Sequence, residues 1–73
     1  MDVKIKVGTR LKELRNQKKI TQEQLYHICG IDRTYISDVE NGRRNISIET
    51  LETILNGLDV SLATFFSKTI FRS

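Results

Sequence analysis

The chain has 73 residues, no proline, one cysteine and a net charge of +3. That length suits one small domain spanning residues 1–73. Cys29 stands alone, which rules out an intramolecular disulfide and suits a reducing cytoplasm. No apolar run approaches the roughly 20 residues of a membrane span, and the basic N-terminus lacks the hydrophobic block of a secretory signal.

Helix formers are frequent and no alternating Val/Ile/Thr run is present, so the expected class is all-α. A core this small gains stability from a second copy of the chain. Residues 1–19 hold seven cations (Lys4, Lys6, Arg10, Lys12, Arg15, Lys18 and Lys19) against Asp2 and Glu13, a local charge of +5. The rest holds five cations against seven acids, or −2. A basic end of this kind is suited to a polyanion, although a solvated helix face has the same composition.

The first helix is expected from about Lys6 to Lys18, with Val7, Leu11 and Leu14 as its buried stripe. Lys18 and Lys19 follow at its C-terminal end, where cations complement the helix dipole. Ile20 can act as a hydrophobic staple against Leu25.

Thr21 to Gly42 reads as two short helices joined by a turn. Thr21 and Gln24 have the spacing of a capping box. Leu25 and Ile28 or Cys29 give the second helix its apolar side, and Gly30 supplies a left-handed turn residue. Asp32 caps the third helix, which ends near Gly42. At about 100° per residue, Arg33, Thr34, Ser37, Asp38 and Asn41 share one side of that helix, and Ile36 and Val39 lie opposite. One face packs and the other is free to meet a groove, the division a DNA-reading helix-turn-helix requires.

The linker Asn41–Asn45 carries Arg43 and Arg44, whose forked donors suit phosphates or guanine edges. Ser47 caps a fourth helix with Ile48, Leu51, Ile54, Leu55 and Leu58 as its stripe, closed by Gly57 or by a left-handed Asp59. Ser61 caps a fifth helix from Leu62 to about Lys68. Its Leu62, Phe65 and Phe66 either close the core or form a two-fold dimer surface, with Ile70 and Phe71 in a tail expected to fray. His27 has no partners at metal spacing, and no nucleophile–base grouping or glycine-rich phosphate loop is present, so an enzyme is not expected.

These residues carry a resemblance. The basic first helix with LKELR, the ITQEQL segment, Gly30, Ile36, Val39, the VENG ending and IETLETILNGLDVSLATFF resemble the phage repressor and Cro-type helix-turn-helix family over nearly the whole chain. Within it, IDRTYIS, RRNIS and GLDVSLATFF are similar to the controller proteins of restriction–modification systems. The resemblance implies a compact five-helix, lambda-repressor-like domain that acts as a homodimer. It implies binding to double-stranded operator DNA upstream of the chain's own gene and of the endonuclease gene. Transcription is then activated and later repressed, which makes RNA polymerase a further candidate partner. No cofactor is implied.

Matched to the family's motif, Gln22 corresponds to a phosphate-binding glutamine. Arg33, Thr34 and Ser37 correspond to positions that meet base edges, and Tyr35 to one that reaches the backbone. Asn41, Arg43, Arg44 and Asn45 match the loop behind the recognition helix. Two residues depart from the family pattern. Tyr26 replaces a usual alanine and must point outward or spread the helices. Asp38 replaces a small residue on the groove side, where it can accept from a cytosine amino group or turn to Arg43 or another nearby cation. Phage and plasmid repressors and antitoxins share the same build.

Overall fold

The computed structural model describes residues 2–72. They form five α-helices, α1 Val3–Gln17, α2 Gln22–Cys29, α3 Arg33–Glu40, α4 Ile48–Gly57 and α5 Leu62–Phe65, followed by a 3₁₀ turn at Thr69–Phe71. No strand occurs among the described residues.

Each helix starts on a short polar side chain that satisfies one of its orphan amide groups. Thr21 and Gln24 form the reciprocal capping box, with Thr21 N donating to Gln24 Oε1 (2.8 Å) and Gln24 N to Thr21 Oγ1 (3.0 Å). Asp32, Ser47 and Ser61 cap the next three helices. α1 begins three residues earlier than its apolar stripe suggests, because Asp2 caps it by accepting from Lys4 N at 2.7 Å. The extra turn carries Val3 and Ile5 into solvent.

Eleven apolar side chains make the core: Val7, Leu11 and Leu14 of α1, Leu25 of α2, Ile36 and Val39 of α3, Leu51, Ile54, Leu55 and Leu58 on α4 and its C-cap, and Phe65 of α5. Ile48, at the head of the expected α4 stripe, lies instead on the surface, 65% exposed, because the first turn of α4 projects past the core.

α1 crosses α3 at backbone distance. A Cβ on Gly8 would run into the carbonyl oxygen of Val39 and lie 2.9 Å from that of Glu40. Only glycine permits this approach, and it brings the start of α1 against the end of α3. α1 and α4 close on left-handed residues, Lys19 and Asp59, both at φ 57°.

The C-terminal segment departs most from expectation. α5 has four residues and does not reach Lys68. The following segment folds back instead of fraying. The Phe71 ring packs on those of Phe65 and Phe66, with centroids 5.8 and 4.9 Å away. Arg10 secures the fold-back: its Nε donates to Phe65 O and its Nη2 to Thr64 O, both at 2.9 Å, while Nη1 meets Glu13 at 2.6 Å. One guanidinium thereby takes up two carbonyls at the end of a four-residue helix, adding to the bond that Ser67 Oγ donates to Thr64 O at 2.7 Å.

Candidate nucleic-acid interface

The left-handed Gly30, at φ 76°, ends α2 with its amide donating to Tyr26 O at 2.8 Å. The chain then reverses through Ile31, and Asp32 Oδ1 receives Thr34 N at 3.1 Å to start α3. Ile36 and Val39 are buried, and Arg33, Thr34 and Asn41 on the other side are exposed, with Tyr35, Ser37 and Asp38 half-buried between. The face expected from helical periodicity is thus the face that solvent reaches. Tyr26 does not wedge the helices apart: it points outward, 42% exposed, with its ring 5.0 Å from that of His27.

α3 ends in a six-residue cap. Gly42, at φ 71°, donates to Val39 O (3.0 Å), and Arg43 N reaches back to Asp38 O (2.9 Å). This cap fixes the direction in which the loop leaves α3, and so where exposed Arg43, Arg44 and Asn45 stand relative to the polar face. Asn41 closes the same turn, with Nδ2 donating to Ser37 O at 2.9 Å.

Beneath the face lies a buried polar network. Arg15 presents Nε to Glu40 Oε2 (2.7 Å) and Nη2 to Oε1 (3.0 Å), and its Nη1 donates to Ile20 O (2.7 Å). Gln22 Nε2 donates to Glu40 Oε1 at 3.1 Å. One carboxylate therefore joins α1, the first residue of α2 and the last residue of α3. It also sets the Gln22 carboxamide, whose second N–H remains for another acceptor. The bond from Glu40 raises the Arg15 pKa, outweighing the burial that opposes the charge.

Arg15 and Arg10 are buried, so two of the seven N-terminal cations are spent inside the protein and do not belong to the expected basic face. Glu40 was absent from the sequence-based site. Its signal was available: a carboxylate in the last turn of a helix opposes the dipole and calls for a cation.

Asp38 turns to Arg44, not to Arg43. Its Oδ2 lies 3.7 Å from Arg44 Nη2, and the same guanidinium sits 4.6 Å above the Tyr35 ring.

Of the three expected dimer residues, Phe65 is fully buried and is a core residue, not a surface contact. Phe65 ends α5 and Phe66 is its C-cap, so the two adjacent side chains leave the backbone about 100° apart and only one faces the core. Leu62 is half-buried and Phe66 is 39% exposed. Phe66 lines an open groove of about 190 Å³ with Val3, Val7, Ile46, Ile48 and Leu51, and Lys4, Arg44 and Asn45 line it too.

No group of three or more potential metal ligands occurs among the described residues, and no helix among them is long and apolar enough to cross a membrane.

Comparison with known proteins agrees with this geometry. Residues 11–65 match the family model described as helix-turn-helix. The control protein C.MunI of a Mycoplasma species is 45% identical over 67 residues, covering 90% of each chain. The immunity repressor protein of Bacillus phage phi105 is 37% identical over 57 residues, 78% of this chain and 40% of the repressor. The restriction–modification controller protein C.Esp1396I, in a structure of its tetramer with its natural 35 base-pair operator, superposes with a TM-score of 0.88 at 39% identity, covering 99% of this chain and 93% of that one. The chain belongs to the helix-turn-helix family, in the branch that contains the control proteins of restriction–modification systems.

Proposed function

We propose that this chain is a sequence-specific DNA-binding transcription regulator of the cytoplasm that serves as the controller of a restriction–modification system. The observation that carries the reading is the 45% identity to a control protein across 90% of both chains. The polar face of α3 on a rigid two-helix frame supplies the physical means.

In this reading α3 enters the major groove. Arg33 reads a guanine through O6 and N7 together, and Thr34 and Ser37 meet neighbouring base edges. Gln22, Tyr35, Asn41, Arg43, Arg44 and Asn45 hold the sugar-phosphate backbone and set the register. Two copies bind half-sites about 34–36 Å apart. They pair through Leu62, Phe66 and the adjoining exposed Val3 and Ile48, an apolar surface that would otherwise stay in water. C.Esp1396I, which is tetrameric on its operator, supports association of this chain with further copies of itself. Activation from such a site requires contact with RNA polymerase.

The test is a titration against the DNA upstream of the chain's own gene, beside scrambled DNA, at two salt concentrations. Tight, salt-sensitive and selective binding in a two-subunit pattern is expected. Weak binding to both duplexes with no preference would remove self-regulation, and with it the controller reading. The phage repressor similarity supports a second reading, the same DNA-binding protein in a phage circuit. An integrase gene beside it, in place of endonuclease and methyltransferase genes, would decide for that.

A further inference from the structure

Asp38 is the one acid on the polar face of α3, a face otherwise made of Arg33, Thr34, Ser37 and Asn41. A carboxylate facing phosphates weakens binding, so its presence there calls for a purpose. Its position supplies one. Its Oδ2 stands 3.7 Å from Arg44 Nη2, and Tyr35 holds the other side of that guanidinium at 4.6 Å. Arg44 is therefore held against α3 by a charge and a ring, both from the recognition helix. All three side chains are reachable from solvent, with Arg44 48% and Asp38 30% exposed, so the pair can open.

We propose that Asp38 is a specificity-determining residue that works by changing partners. Without DNA it holds Arg44. On any DNA the phosphate takes Arg44, and Asp38 loses its cation beside a polyanion. On DNA with a cytosine at the matching position, the carboxylate regains a partner by accepting from the cytosine N4 amino group. On other sequences it stays unpaired. The exchange thus taxes non-specific binding and refunds the loss at the operator. This deepens the DNA-binding reading above and rests on it.

The experiment begins with selection of a duplex by the wild-type protein from a randomised pool, followed by titration of that duplex and a scrambled one. Asp38→Asn keeps the shape and removes the charge, Asp38→Ala removes the acceptor as well, and the melting temperature of each is checked against wild type. The scrambled duplex is expected to bind about threefold tighter, since Arg44 no longer leaves an ion pair. The selected duplex is expected to bind Asp38→Ala about tenfold weaker, since that variant has no acceptor for the cytosine amino group, which the carboxamide oxygen of Asp38→Asn still provides. A second selection with Asp38→Ala should lose the C·G preference at one position of each half-site. In an Arg44→Ala background, Asp38→Asn should tighten the scrambled duplex less than it does with Arg44 present.

Equal tightening of both duplexes would reduce Asp38 to a repulsive charge and overturn the proposal. So would unchanged binding to both. Undiminished tightening without Arg44 would show that Asp38 acts by its own field, which also overturns it. A wild-type protein that selects no sequence and shows no salt-dependent affinity would overturn the DNA-binding reading itself, a result distinct from all of these.

Discussion

Arg15 Nε lies 2.7 Å from Glu40 Oε2, and the two side chains are only 10% and 2% exposed. This pair joins α1 to the end of α3, and it carries the Gln22 carboxamide on its remaining edge. Removing one member strands a buried charge, which costs about 3 kcal/mol. Arg15→Ala or Glu40→Ala should therefore lower the melting temperature by more than about 10 °C in a chain of this size. Thermal unfolding by circular dichroism reads this directly, and a shift of only about 1 °C would show that the pair is dispensable.

Phe65 and Phe66 are adjacent in sequence and have centroids 4.9 Å apart, yet they should behave in opposite ways. Phe65 is fully buried, so Phe65→Ala opens a cavity and should cost about 4 kcal/mol of stability. Phe66→Lys places a charge on the exposed groove. It should leave folding nearly intact and shift sedimentation equilibrium toward the monomer. A dimer undisturbed by Phe66→Lys would place the subunit contact elsewhere.

Arg33 and Arg44 should divide the work of binding. Arg33→Ala should lose about 2 kcal/mol on the selected operator and little on scrambled DNA, because only the guanine contact is removed. Arg44→Ala should weaken both duplexes by a similar factor and reduce the slope of log affinity against log salt by about 0.9. Equal effects of the two substitutions on both duplexes would sink this division.

The acid side of the stability profile should report Glu13. The hydrogen bond from Arg10 holds its carboxyl below the usual range, helped by the nearby Lys68 ammonium and opposed by partial burial. A depressed folded pKa stabilises the native state at pH above the unfolded value, about 4.3, and that contribution fades as pH falls through the folded value. Wild type should therefore lose its advantage over Glu13→Gln as pH drops below about 4. Hydrogen exchange at residues 64–71 is the sensitive readout, because Arg10 carries the link from Glu13 to that segment. The effect is small, since Glu13 is substantially solvated. Parallel profiles of the two proteins would disprove it.

The middle three helices, the caps at Thr21, Asp32, Ser47 and Ser61 and the division of α3 into two faces were legible in the sequence because their causes are local. A capping box spans three residues, a helical stripe repeats every three or four, and a left-handed Gly30 or Asp59 needs no distant partner. The polar face of Arg33, Thr34, Ser37 and Asn41 follows from such rules alone. What tertiary structure decided depends on residues far apart in the chain. Arg10 and Arg15 look like members of a basic surface until Phe65 and Glu40, 55 and 25 residues away, claim them. Gly8 looks like a weak point in a helix until α3 crosses over it. Phe65 and Phe66 are indistinguishable by composition, and only the backbone direction of a four-residue helix turns one inward and one out. Asp38 presented several possible partners, and the six-residue cap at Gly42 brings Arg44 within its reach. Local propensity acts along the chain; partnership of buried charge, close backbone approach and burial of one ring over another are set by packing across it.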